Sequence, residues 1–172
     1  MEIIIASDNH YNQKVLELIH GRHHQDADLF LHLGDSQLPY DSPLMKDFIK
    51  VAGNCDYDRN YPSHQVQDLP GLDKIFMAHG HEHGVKETTK RLEAAAKDVG
   101  ATIACYGHSH CVDVYREDGG LIVINPGSTF LPRNTRERTY ATLTIGPDDY
   151  QVKVLQVETG KVLLQKTFEK GA

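Results

Sequence analysis

The sequence of 172 residues has few cysteines, no long apolar run and no excess of positive charge. Its three cysteines, Cys55, Cys105 and Cys111, form no CxxC pair, which argues against a disulfide framework and against a cysteine-based structural zinc site. No apolar run approaches the roughly 18 residues that a membrane-spanning helix needs. Residues 1–6 contain neither a basic segment nor a signal cleavage site. We therefore expect no membrane partner and a cytoplasmic location.

Acidic residues outnumber basic ones by 24 to 18, and the formal net charge is −6 at pH 7. Proteins that bind duplex nucleic acid usually present many lysines and arginines to the phosphates, so we expect no stable nucleic-acid partner. Hydrophobic residues make up 40% of the chain, as is usual for globular proteins. The length suits one compact domain, and we predict a single domain over residues 1–172.

The hydrophobic pattern predicts an α/β fold. Two helices are expected at about 12–23 and 86–99, the second with Leu92, Ala95, Ala96 and Val99 facing inward. Short apolar runs predict strands at 3–6, 29–33, 48–51, 75–78 and 103–106. Five further strand-like segments, at 112–116, 121–125, 141–145, 152–157 and 162–168, are separated by turn residues. The first two thirds are therefore predicted to alternate strands with helices, and the last third to form an antiparallel meander.

Each of the first five strands runs into a loop that carries potential metal ligands. Because ligands bind at the carboxyl ends of strands in open α/β sheets, we expect these side chains to share one cleft. Mixed nitrogen and oxygen ligands suit manganese, iron, zinc or nickel better than calcium or magnesium alone. The candidate ligands are Asp8, His10, Asp35, Asn54, His79, His108 and His110.

Each motif by itself has a simpler structural explanation. The segment 8–10 resembles a helix cap, the segments 34–35 and 53–54 resemble turns, and histidines spaced as HxH often lie in solvated loops. The repetition of ligand-type residues at five strand ends favours the metal site. His32 lies inside a strand and is expected to be a hydrogen-bonded structural residue, whereas His81 and His83 lie close to the cluster without a clear role.

In chain order, these motifs resemble those of the calcineurin-like metallophosphoesterases. They are DxH at Asp8 and His10, GD at 34–35, GN at 53–54, HGH at 79–81 and GHSH at 107–110. The short spacings and the NPGS segment at 125–128 resemble the small prokaryotic phosphodiesterase branch of the YfcE type. The resemblance implies a four-layer αββα sandwich in which two mixed β-sheets are flanked by helices.

The resemblance also implies two divalent metal ions, with Mn²⁺ expected and iron, zinc or nickel as alternatives. Asp8, His10, Asp35 and His110 match the first metal site, and Asp35, Asn54, His79 and His108 match the second, with Asp35 bridging. The implied activity is phosphodiesterase hydrolysis of a small phosphodiester by in-line attack of a metal-bridging hydroxide. Asn54, Cys55 and His79 are the expected catalytic residues.

Cys55 departs from the wider family, in which many members have histidine directly after the metal-binding asparagine. A thiol is a weaker hydrogen-bond donor than imidazolium, so its role toward the leaving group stays open beside a purely packing role. Arg133 either reaches a phosphate or is a solvated loop residue, and the role of Asp56 is undecided.

Three further alternatives are open. One is a non-catalytic, metal-binding scaffold for protein interaction with the same fold, as in the retromer subunit. Another is a metal-dependent nuclease, which the acidic composition disfavours. The third concerns assembly, because the edges of the late hairpins leave a homodimer open.

Overall fold

The computed structural model describes residues 1–71 and 73–171 of the chain. Within these residues, eleven strands form two sheets, and two α-helices cover them. The first sheet has six strands in the order β11-β10-β9-β1-β2-β3. Its strands are β1 (Glu2–Ala6), β2 (Leu29–His32), β3 (Phe48–Lys50), β9 (Thr139–Ile145), β10 (Asp149–Gln156) and β11 (Val162–Glu169).

The second sheet has five strands in the order β4-β5-β6-β8-β7. Its strands are β4 (His64–Asp68), β5 (Lys74–Ala78), β6 (Ile103–Cys105), β7 (Val112–Arg116) and β8 (Ile122–Pro126). Both sheets are mixed: β1, β2 and β3 are parallel, as are β5, β6 and β8, and their other neighbours are antiparallel.

The residues of β1 show how the layers are built. Ile3 and Ile5 are fully buried in a core that also contains residues of the second sheet. Ile4 and Ala6 point to the opposite face, where they pack with α1 (Gln13–His23). Such alternation follows from the two-residue period of a strand. Burial of each isoleucine contributes about 1.5–3 kcal/mol to the free energy of folding.

The outer face of the second sheet is covered in the same way. Leu92 and Ala96 of α2 (Lys90–Asp98) pack there against Phe76 and Ala104. The order of layers is therefore helix, sheet, sheet, helix, and the predicted αββα sandwich is confirmed.

The structure corrects three local predictions. The late meander is divided, because β7 and β8 join the second sheet. α2 begins at Lys90, since the segment before it holds the 3-10 helix His81–His83 and turns, and Val99 is 37% exposed rather than inward. Within the described residues, β2 and β3 are joined by a loop that contains the 3-10 helix Pro43–Met45.

β4 was not predicted, because four of its five residues are polar. None of the helices described in residues 1–71 and 73–171 has the length and hydropathy to cross a bilayer.

Candidate metal centre

The candidate ligands come together where the carboxyl ends of parallel strands from both sheets meet. β1, β2 and β3 of the first sheet lead into the loops with Asp8, Asp35 and Asn54. β5 and β6 of the second sheet lead into the loops with His79 and His108. The sheets therefore deliver their loops to a shared cleft, although the ligands do not follow a single sheet edge.

Asp8, His10 and His110 form the first half of the cluster. The Oδ1 atom of Asp8 lies 3.1 Å from Nε2 of His110 and 3.8 Å from Nε2 of His10. The two Nε2 atoms lie 3.3 Å from each other. Asp8 is fully buried, so its carboxylate is withdrawn from bulk water.

His79 is the centre of the second half. Its Nε2 atom lies 3.3 Å from Oδ2 of Asp35 and 3.1 Å from Oδ1 of Asn54. The same Oδ2 atom of Asp35 lies 3.8 Å from Nε2 of His10, which places this carboxylate between the two halves. The ring of His108 stands at the edge of the group, with its centroid 5.0 Å from that of His79.

Three of the imidazoles are oriented by hydrogen-bond acceptors that contact their Nδ1 atoms. Nδ1 of His79 donates to the carbonyl oxygen of Leu33 at 2.6 Å, and Nδ1 of His110 donates to that of Leu131 at 2.7 Å. Nδ1 of His10 lies 2.8 Å from the amide oxygen of Gln37. These partners assign the proton of each neutral ring to Nδ1, so that the Nε2 lone pairs point into the cluster.

The Nε2 lone pairs of His79 and His110 thus face carboxylate oxygens of Asp35 and Asp8 at 3.3 and 3.1 Å. Oδ1 of Asp8 is buried and receives no hydrogen bond from the described residues when His110 has this tautomer. An unsatisfied buried carboxylate oxygen is costly, and either a proton on Nε2 or a bound cation would satisfy it. The donor set of imidazoles, carboxylates and one amide oxygen suits a first-row divalent metal.

Charge interactions in the metal-free chain follow from this arrangement. Burial raises the pKa of Asp35, but its hydrogen bond with His79 and the charge of that ring outweigh burial, so the pKa is well below its usual value. Burial lowers the pKa of His110, but a hydrogen bond from its Nε2 to Asp8 outweighs this effect and raises the pKa. Metal binding would replace such protons and release them to solvent.

Groups of three side chains have ligand atoms close enough to share one ion. Their ligand atoms lie within 4.8 Å of one another. The groups are Asp8 with His10 and His110, Asp8 with Asp35 and His79, and His10 with Asp35 and Cys55. Two of the groups share Asp8 and two share Asp35, so neighbouring ions held there would have common ligands.

Backbone strain is concentrated in the same loops. Seven residues other than glycine have positive φ in the described chain, and five of them are candidate ligands. These five are Asp8, His10, Asp35, His108 and His110. A left-handed conformation costs such residues roughly 1–2 kcal/mol each, and strain of this kind tends to occur at functional sites.

Glycines of the motifs allow close approach between loops. A Cβ atom on Gly53 would collide with the Asp35 carboxylate, and one on Gly107 would collide with the hydroxyl of Ser7. The glycines of the GN and GHSH motifs are therefore required because other chain segments pass directly over them.

Asp56 was undecided from the sequence, and the structure gives it a supporting role. Its Oδ2 atom accepts the backbone N–H groups of Asp35 and Gly53, both at 2.7 Å, and its Oδ1 atom accepts that of Gln37 at 2.7 Å. The carboxylate thus joins the loops after β2 and β3. Gln37 was missed, because an isolated glutamine has no signal in the sequence.

Other side chains singled out from the sequence lie around the cluster. His32 is buried, and its Nε2 lies 2.8 Å from Oδ1 of Asn9, as expected for a structural residue. Asn125 donates to the carbonyl oxygen of Gly107 at 3.1 Å, and Ser128 donates to that of Asp8 at 2.9 Å, so the NPGS segment supports the loops structurally. Burial and the Asp35 charge raise the pKa of Cys55.

Comparison with known proteins establishes the family. The calcineurin-like phosphoesterase superfamily domain matches residues 1–148, and the chain belongs to this superfamily. The protein named "Probable metallophosphoesterase YsnB" of Bacillus subtilis is 37% identical over 155 residues, which cover 89% of each protein. A Streptococcus pneumoniae protein described as a predicted phosphoesterase has 34% identity and a TM-score of 0.92, with 98% of this chain and 97% of that chain covered.

More distant structures share the fold. YfcE, a phosphoesterase from E. coli, has a TM-score of 0.70 and 21% identity, with 96% of this chain and 98% of that one covered. Vps29 from Entamoeba histolytica has a TM-score of 0.74 and 19% identity, with 98% and 99% covered. The resemblance to the metallophosphoesterases that the motifs indicated is thus confirmed, and the chain is a metallophosphoesterase by family.

Proposed function

We propose that the protein is a dinuclear metal-dependent phosphodiesterase that hydrolyses a small phosphodiester. The observation that carries the proposal is the orientation of the Nε2 atoms of His10, His79 and His110. With their Nδ1 protons directed to Gln37 and to two backbone carbonyls, these atoms face the carboxylates of Asp8 and Asp35. This arrangement supports binding of cations.

Asp8, His10, Asp35 and His110 would hold one ion, and Asp35, Asn54, His79 and His108 the other. Asp35 is suited to a bridging role because its Oδ2 faces both His10 and His79. Two such ions supply Lewis-acid stabilisation of the phosphoryl oxygens and lower the pKa of water. The proposed mechanism is in-line attack of hydroxide on the phosphorus atom, without a covalent enzyme intermediate. Mn²⁺ is the expected metal.

The chain's own groups would set the geometry around the ester. Asp56 fixes the loop of Asp35 relative to that of Asn54, through its three short hydrogen bonds to backbone N–H groups. Cys55 lies beside this cluster, with its backbone N–H donating to Oδ1 of Asp35 at 2.8 Å. Its thiol groups with His10 and Asp35, with ligand atoms within 4.8 Å of one another, and this supports a contact with the leaving group.

The alternative is a non-catalytic, metal-binding scaffold for protein interaction. Vps29 shares the fold, but at 19% identity this similarity supports the architecture alone and not a scaffold role. All seven candidate ligands are present in this chain, and this favours the enzyme. A cytoplasmic location and a homodimer remain further parts of the proposal.

An activity assay with metal-stripped protein tests the proposal. An aryl phosphodiester and an aryl phosphomonoester are compared with and without Mn²⁺, Ni²⁺, Zn²⁺ or Mg²⁺, in wild type and Asp35→Asn. Asp26→Asn, which neutralises an exposed aspartate between α1 and β2, is the matched control. We expect metal-dependent diester hydrolysis that Asp35→Asn abolishes and Asp26→Asn retains. Metal binding without turnover of either ester would favour the scaffold.

A further inference from the structure

A groove of about 500 Å³ adjoins the loop that contains His108 and His110. Ser109 and Cys111 of that loop line it, together with Lys86 and Arg133. Because Ser109 and Cys111 flank His110 in the chain, the groove lies beside the candidate metal centre. Its two cations come from separate segments of the chain.

Both cations lie next to this loop. The backbone N–H of Arg133 donates to the carbonyl oxygen of His110 at 3.0 Å. Lys86 lines the same groove as Ser109 and Cys111, which are the chain neighbours of His110. Lys86 and Arg133 therefore border the loop of the candidate metal centre from the groove side.

The segment that carries Arg133 is held against the second sheet. Oδ1 of Asn134 accepts the backbone N–H of Val112 at 2.8 Å, and its Nδ2 donates to the carbonyl oxygen of Val112 at 2.9 Å. This two-bond contact fixes the backbone next to Arg133 at the start of β7. The backbone that carries Arg133 is therefore held in place by these hydrogen bonds.

The cationic groups of the groove are available to a ligand. In residues 1–71 and 73–171, no side-chain hydrogen bond or ion pair involves Lys86 or Arg133, whereas Lys90 and Lys97 are paired with Glu93 and Glu117. The acidic residue of the groove, Asp113, accepts a hydrogen bond from the hydroxyl of Tyr106 at 3.0 Å. With two cations and one carboxylate, the lining is positive on a chain whose net charge is −6.

We propose that Lys86 and Arg133 bind a second phosphate group, carried by the alcohol part of the substrate. The protein would then act on phosphodiesters of phosphorylated alcohols in preference to simple diesters. This inference rests on the proposed function, because the groove is a specificity site only if the neighbouring centre binds the scissile phosphate. Guanidinium and ammonium groups are suited to phosphate, and charge-assisted hydrogen bonds of this type are among the stronger ones.

Calorimetric titration of the Mn²⁺-loaded protein tests the inference by binding alone. The ligands are bisphosphates of straight alkanediols with two to six carbons, each compared with the monophosphate of the same diol. We expect the best bisphosphate to bind about tenfold more tightly than its monophosphate, which corresponds to one charge-assisted contact. The ratio of the monophosphate Kd to the bisphosphate Kd is expected to fall toward one in Arg133→Gln and in Lys86→Gln.

Lys161→Gln is the matched control, because it removes one exposed positive charge in the turn between β10 and β11. It is expected to retain the wild-type ratio. Titration of the metal-free protein separates contacts with the side chains from chelation of Mn²⁺ by the bisphosphate. The inference is overturned if no bisphosphate is preferred at any length, or if the preference survives in the Lys86→Gln/Arg133→Gln double variant. Failure of the proposed function would appear separately, as absence of diester hydrolysis.

Discussion

The Nε2 atoms of His10 and His110 lie 3.3 Å apart, although the partners of both rings direct the imidazole proton to Nδ1. Two lone pairs at this distance repel each other unless a proton or a metal ion lies between or beside them. Oδ1 of Asp8, 3.1 Å from Nε2 of His110, has the same requirement. In the metal-free chain a proton on Nε2 of His110 meets this requirement, and a bound cation would take its place.

Metal binding should accordingly stabilise the protein. A ligand that binds only the folded state at a concentration 100-fold above its Kd adds about 2.7 kcal/mol, which is several degrees in Tm for a chain of this size. We expect thermal unfolding followed by circular dichroism to show this increase on addition of Mn²⁺ to metal-stripped protein, and its reversal by EDTA. His110→Gln should reduce the increase, whereas His24→Gln, at an exposed position beyond α1, should retain it. An unchanged Tm in wild type would contradict the fit of the cluster to a metal.

Gln37 should tune metal affinity through His10. Its amide oxygen accepts the Nδ1 proton of His10 at 2.8 Å, which fixes the orientation of the ring. Loss of such a partner typically lowers metal affinity 10- to 100-fold, so about this decrease is expected for Gln37→Leu. Gln37→Glu is the matched variant, because it retains an acceptor for Nδ1 of His10. Both variants place a side chain on the same left-handed backbone, so backbone strain does not distinguish them. Equal Mn²⁺ affinities of the two variants in a competition titration would show that the contact is unimportant.

The strand positions were predictable from the hydrophobic pattern, and the family resemblance implied two sheets, but the pattern did not assign each strand to its sheet. Ile3 and Ile5 face one core and Ile4 and Ala6 face another, so β1 is buried on both sides and its sequence shows only a continuous apolar run. Such a run does not indicate which strands lie beside it. β4 was missed for the opposite reason, because an edge strand with the sequence HQVQD has almost no apolar pattern.

The candidate site shows a similar limit. Its side chains could be chosen from the sequence because carboxylates and imidazoles follow strand ends, and the structure places them together. Their roles as ligands remain predictions. The carbonyl groups of Leu33 and Leu131, which orient His79 and His110, could not be chosen, because every residue has a carbonyl and only the fold selects among them. The positive φ of Asp8 and Asp35 likewise depends on tertiary contacts.

His23 should make stability depend on pH. Burial and the charge of Arg22 lower its pKa, and its Nε2 lies 2.8 Å from the hydroxyl of Tyr140, which also accepts from Arg22 at 3.0 Å. The tyrosine proton is thus directed to a neutral His23. Because the pKa is lower in the folded state, the unfolded chain takes up the proton first as pH falls below the usual histidine pKa of 6.5.

Stability contributed by neutral His23 is therefore present above this pH and is lost as pH falls toward the folded-state pKa. Urea unfolding of metal-free protein between pH 5 and 8 should show a smaller decrease toward acid in His23→Gln than in wild type, because the glutamine amide oxygen accepts without titrating. His24→Gln is again the control, with the wild-type pH profile expected. Identical profiles for wild type and His23→Gln would refute this assignment.

Under the proposed function, we expect Cys55 to limit how well the leaving group is stabilised. Its thiol lies beside His10 and Asp35, at the position where many relatives are expected to have histidine, and a thiol is a weak hydrogen-bond donor. Because general acid catalysis typically contributes 10²- to 10⁴-fold, Cys55→His should raise kcat for an alkyl phosphodiester by about tenfold or more. The gain should be smaller for an aryl diester, whose leaving group needs little protonation. Steady-state kinetics of both esters measure this difference, with Cys55→Ala as the matched variant that removes the thiol without adding an imidazole. A decrease or no change in Cys55→His would count against this role, and full activity of Cys55→Ala on both esters would assign Cys55 to packing.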